Sequence, residues 1–130
     1  MLIHLFTIVT LAVCVTITIP VEAADEAAQK AQGCASAETT LALRSCESAR
    51  YVNAEKQLNS AYRQLEKSLD LGRRIKLRVA QRAWLRFREA DARFQGDGAR
   101  GGTLAPLLEV SALADLTEAR TAELRKAMQR

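Results

Sequence analysis

The chain has 130 residues, with 19 Lys and Arg against 15 Asp and Glu and a single His, for a net charge of +4. That length holds one domain at most. The lone histidine, His4, precedes everything that reads as folded chain, so an imidazole base, a Ser-His-Asp triad and a His-ligated metal are excluded there.

Taken in order, Leu5–Ile19 is almost wholly apolar or Thr, Pro20 breaks the run, and Val21-Glu22-Ala23-Ala24 offers small residues to a signal peptidase. Residues 1–24 are therefore read as an export signal, with Cys14 an ordinary apolar residue inside it. An uncleaved anchor is the alternative, because Leu2–Val21 just reaches bilayer length. All 19 basic residues but only 14 acidic ones follow residue 24, so the domain over 25–130 carries +5. That balance favours a membrane surface, a wall polymer or an acidic partner, while export to the periplasm or beyond argues against nucleic acid. Cys34 and Cys46 remain after the signal, and an even pair in an oxidising compartment reads as a disulfide. A zinc site is the poorer alternative, with no His to complete it.

Asp25–Gly33 is polar and Ala-rich and is expected to fray. Ala37–Arg44 reads as a short helix. From Glu47 to Leu71, Tyr51, Leu58, Tyr62, Leu65 and Leu69 recur at helical steps with Ala54 and Ala61 between them. Gly72 is placed to end that helix. A second helix is expected over Arg73–Phe94, with Leu77, Ala80, Trp84, Phe87 and Phe94 on its buried side and Arg73, Arg74, Lys76, Arg78, Arg82, Arg86, Arg88 and Arg93 making it strongly basic. The short link implies an antiparallel hairpin. Gln95–Gly102, with four glycines in eight residues, is read as an exposed loop. Thr103 is a candidate N-cap, Pro106 suits a first turn, and Leu107–Met128 resumes the helical period through Val110, Leu113, Leu116, Leu124 and Met128. No alternating β-branched run follows the signal. The expectation is an all-α bundle of three long helices plus a short N-terminal one.

The motif residues have structural readings. Trp84 is expected to pack, and Asn59 and Tyr62 to hydrogen-bond within the bundle. Arg82 and Arg88, about two turns apart, are read as sharing a face and pairing with Glu55 or Glu89, since a half-buried Arg needs an acidic partner. Arg73, Arg74, Arg78 and Arg86 are read as a solvated basic face. Acidic pairs such as Glu89 and Asp91 stand two residues apart and do not face each other, so carboxylate catalysis has no basis. The chain is read as a non-enzyme without cofactor or metal.

The order Cys34…Cys46, Glu55-x-x-Leu58-Asn59-x-x-Tyr62, Ala80-Gln81-Arg82-Ala83-Trp84-x-x-Phe87-Arg88, Gly101-Gly102 and Leu116-Thr117-x-x-Arg120-x-x-x-Leu124 resembles the LprI-type family, exported bacterial domains named after a lysozyme inhibitor. The resemblance covers nearly all of the chain after the signal. It implies a small helical exported domain with a protein partner, a lysozyme-type muramidase. Glu55 stands where the family usually has Asp, and Ala92 and Ala112 where it usually has two further cysteines. The resemblance therefore implies a missing second bridge and a looser join between the second and third helices. Inhibition has a physical form: Arg100, presented by Gly98-Ala99-Arg100-Gly101-Gly102, enters the cleft and pairs with its ionised carboxylate. The alternative is a non-catalytic envelope domain whose basic helix contacts anionic lipid or wall polymer.

Overall fold

The computed structural model describes Cys34 and residues 36–129. The expected export signal with Cys14, and the stretch Asp25–Gly33, lie outside the described residues. Three helices make up the described chain: α1 (Thr40–Ser68), α2 (Leu71–Asp97) and α3 (Ala105–Met128), with no strand among the described residues. Each is about 36–44 Å long at 1.5 Å per residue.

Residues 40–44, expected in a separate short helix, are the first turns of α1. Nothing between them and Glu47 breaks the helix, and Thr39 caps it, its Oγ1 accepting from the Ala42 N–H at 3.1 Å. The break between α1 and α2 comes at Leu69-Asp70, ahead of Gly72. Asp70 accepts from the Arg73 N–H at 2.9 Å and so starts α2, leaving Gly72 inside the first turn instead of ending α1. Leu104, not Thr103, occupies the N-cap of α3, and Pro106 lies in the first turn as expected.

The helices alternate in direction, but the first two do not form a packed hairpin. α3 packs against both α1 and α2, while the α1 and α2 backbones scarcely approach each other. Small residues permit the close contacts. α1 buries Ala54, Leu58, Ala61 and Leu65; α3 buries Ala112, Ala114, Thr117, Thr121 and Leu124. The seam of α3 is thus an Ala/Thr row one step round from Val110, Leu113 and Leu116, which are half-buried, and Met128 is exposed. The two threonines return their hydroxyls to the helix, Thr117 to the Leu113 carbonyl at 2.6 Å and Thr121 to the Thr117 carbonyl at 2.8 Å. They therefore pack as small residues.

On α2 the buried row is Arg88, Ala92 and Gly96, continued towards the turn by half-buried Leu77, Gln81 and Trp84. Ala80, Phe87 and Phe94, expected on that side, are exposed. The steps of the observed row are as regular as those of the expected one, and it was selected by fit to α3 instead of by side-chain size. Gly96 shows why: a Cβ there would lie 3.0 Å from the Ala105 carbonyl oxygen and 3.3 Å from the Glu109 Cβ. It is a close helix crossing and not part of a mobile loop.

The contacts Arg88–Thr117 and Gly96–Glu109 fix the register of α2 on α3. Midway between them, Ala92 falls opposite residues 112–113, and Ala92 and Ala112 are both buried. Replacing this pair, Ala92→Cys with Ala112→Cys, should therefore form a second disulfide, raising stability by about 3 kcal/mol. Thiol titration and urea unfolding check this; two reactive thiols in the oxidised double variant would contradict the register.

Candidate functional site

Two places gather the chemistry-bearing side chains. The first is mid-bundle. Arg88 is only 5 % exposed, and a guanidinium stays charged at any working pH, so burial demands partners. Its Nη1 donates to Glu55 of α1 and, at 3.2 Å, to Thr117 Oγ1 of α3. Its Nη2 donates to Glu89 of α2 at 2.7 Å. The guanidinium carbon lies 5.4 Å from the ring centre of Tyr51 and 5.2 Å from that of Trp84, while Arg120 approaches the same indole at 5.9 Å. Burial draws the Arg88 pKa down, but the bonds to Glu89 and Glu55 outweigh it and leave the value raised. Burial likewise pushes the Tyr51 phenol up, with the Arg88 charge opposing.

Trp84 is half-buried against the Leu58–Ala61–Leu65–Leu124 cluster, which Tyr62 also packs on. Gln81 accepts from Arg120 at 3.3 Å. So Leu58, Tyr62, Gln81, Trp84 and Arg88 converge on one clasp holding three helices, a structural role. Asn59 and Arg82 do not join it. Both are exposed, and Arg82, six residues from Arg88, points away from it. Arg74 also departs from expectation: it is half-buried and donates to the Leu69 carbonyl at 3.0 Å, bracing the α1–α2 turn. Arg78 stays on the exposed face as expected but is ion-paired there, binding Glu66 of α1 at 2.8 Å. A second strap escaped sequence reading. Arg50 of α1 donates to Glu47 at 3.0 Å and reaches Asp115 and Glu118 of α3 at 2.5 and 2.8 Å. Only the (i, i+3) spacing of Asp115 and Glu118 hints at it.

The second place is the end of the bundle where α1 begins and α2 passes to α3. The Cys34–Cys46 disulfide ties the segment ahead of α1 to its second turn. Gly98–Leu104 makes the connection. Gly101 has φ +81°, a conformation that suits glycine, and Gly98 and Gly102 flank the same exposed turn. Arg100 stands on it with its side chain 79 % exposed, held by Asp97 at 2.5–2.7 Å, which raises its pKa. Beside it lies an open cleft of about 540 Å³ lined by Thr39, Thr40, Leu41, Arg44, Thr103 and Pro106. Among the described residues no group of His, Cys, Asp and Glu is arranged to hold a metal ion.

A family model described as lysozyme inhibitor LprI matches residues 31–124, a span that takes in the disulfide, the clasp and the glycine turn. An uncharacterized protein of Rhizobium meliloti (strain 1021) is 32 % identical over 116 residues, covering 79 % of this chain and 84 % of the relative. No solved structure matches the chain.

Because Trp84 packs on the core and under two guanidinium groups, Trp84→Ala should destabilise the domain by about 3 kcal/mol. Chemical denaturation followed by circular dichroism measures it; an unchanged midpoint would place the indole outside the clasp.

Proposed function

The chain belongs to the LprI family, and on that premise we propose that it is an exported, non-catalytic inhibitor that blocks a lysozyme-type muramidase with the Arg100 turn. The observation that carries this reading is the exposure of Arg100 on a glycine turn whose two supporting helices are locked beneath it. Gly96 wedges α2 against α3 at the base of the turn, and the Cys34–Cys46 bridge fastens the neighbouring end of α1. A rigid base with a narrow tip is the shape that enters a concave cleft at low entropic cost.

A muramidase cleft carries one protonated and one ionised carboxyl group. Arg offers paired donors to the ionised group. Asp97 holds the Arg100 side chain in the meantime. Such an exposed ion pair contributes little and is readily exchanged, so Asp97 presents the guanidinium without withholding it. The open cleft between Thr39–Arg44 and Thr103–Pro106 gives the enzyme's rim a place to seat. The chain's net charge of +4 repels a strongly basic lysozyme at long range, so the target is a muramidase of lower charge.

Arg100→Ala should weaken inhibition about tenfold or more, as loss of a central charged anchor does, with melting unchanged because the residue is outside the core. Arg63→Ala, exposed near the far end of α1, should leave inhibition as it was. Turbidimetric assays of cell-wall lysis with muramidases of differing charge test this. Inhibition of none of them by the unaltered protein ends the reading.

A further inference from the structure

The face of α2 turned away from α3 is apolar as well as basic. Leu71, Ile75 and Val79 are 70, 53 and 55 % exposed, and Phe87 and Phe94 are 54 and 76 % exposed. With Ala83 and Ala90, which are also exposed, they form a diagonal band along the helix, each about one turn from the next. The inner row of α2 already supplies its contact with α3, so this band is surplus to the fold. Five large apolar side chains on one helix exceed the scattered exposure normal for a surface.

Cations line the band. Followed along the diagonal, Arg82, Arg86 and Arg93 each stand about 100° round from the neighbouring band residue on one side and Lys76 stands on the other, all exposed. The acids of the helix do not offset the three arginines: Glu89 is paired with Arg88 and Asp97 with Arg100, and Asp91, bonded to the neutral Gln95 amide, keeps its charge on the opposite side of the helix from them. Arg82, Arg86 and Arg93 make no ion pair among the described residues. The face therefore combines Phe, Ile and Val side chains with a one-signed basic margin.

We propose that this face of α2 docks the protein on the surface of an anionic lipid bilayer, with the band entering the headgroup boundary and the basic margin meeting lipid phosphates. Amphipathic helices lying in the membrane plane have this composition, and Arg and Lys reach outward from an apolar footprint to anionic headgroups. A second copy fits less well, since a two-fold contact would set the basic margins together. A wall glycan offers negative charge but no apolar phase for Phe87 and Phe94. No described helix is long and apolar enough to cross a membrane, so the contact is with its surface. This inference does not rest on inhibition of a muramidase.

The test is co-sedimentation of the full chain with vesicles of phosphatidylcholine alone and of equal parts phosphatidylcholine and phosphatidylglycerol. The residues ahead of the described domain are common to every variant, and any apolar partitioning they cause is shared by both vesicle types. The difference between vesicles isolates the charged face. Binding should be at least about tenfold stronger to the anionic vesicles. It should fall about tenfold in Phe87→Ser/Phe94→Ser and more steeply in Arg82→Glu/Arg86→Glu, while circular dichroism and melting stay unchanged because all four residues face solvent. Equal binding to the two vesicle types, or undiminished anionic binding by either variant, would overturn the proposal. So would a dimer in sedimentation equilibrium that Phe87→Ser/Phe94→Ser converts to monomer, which would assign the face to self-association.

Discussion

A guanidinium sits where the three helices meet, and its desolvation sets the terms for everything around it. Removing a charge from water costs several kcal/mol, regained only if its donors are well placed against acceptors. Arg88 meets that requirement with one carboxylate from α1, one from α2 and a hydroxyl from α3. It does so across the one pair of helices whose backbones stay apart. The rings of Tyr51 and Trp84 border the charge and contribute their own attraction for it. A shift of any one helix along its axis separates at least one of these groups from Arg88, so the interaction specifies register as well as holding the helices.

The remaining architecture follows from that choice. Around the clasp the interior is made of small residues: Ala54 and Ala61 on α1, Ala92 and Gly96 on α2, Ala112, Ala114, Thr117 and Thr121 on α3. Close approach between backbones replaces bulk there, while Leu77 and Trp84 of α2 pack on the Leu58–Leu65–Leu124 cluster and Phe87 and Phe94 are left outside. The arginines divide in the same way. Arg50, Arg78, Arg88 and Arg120 are engaged by acids of the bundle, whereas Arg82, Arg86 and Arg93 face solvent. An excess of positive charge that looks uniform along the chain is thus partly bound into ion pairs and partly left unpaired on the outer face of α2.

Hydrophobic periodicity was enough to find three long helices, and Tyr51, Leu58 and Leu65 lie on the face that it predicts for α1. On α2 it succeeded only in part: Leu77 and Trp84 pack on the core as expected, but Ala80, Phe87 and Phe94 do not, because two apolar rows share one helix. Phe87 and Phe94 outrank Ala92 and Gly96 on any scale of hydrophobicity, yet the small pair is buried against α3, where Gly96 permits the close contact with Ala105 and Glu109. The α3 seam was missed for the same reason, since Thr117 and Thr121 read as polar until their hydroxyls are seen bonded to the preceding turn. The pairing of Arg88 with Glu55 and Glu89 was legible because a buried Arg requires acids and few were in reach. The strap from Arg50 was not, because its partners lie 65 and 68 residues away. The glycine turn was recognised by composition, although Gly96 belongs to the helix that supports it.

If the clasp governs the bundle, Arg88 and Glu55 must depend on each other energetically. A double-mutant cycle with Arg88→Met and Glu55→Gln, each unfolded in urea with the disulfide intact, measures that dependence. The predicted coupling is about 1–3 kcal/mol, in the range for groups sharing one buried network. Single-variant effects that add to within about 0.5 kcal/mol would mean that the two residues are merely neighbours, and that the bundle is held by its small-residue seams alone.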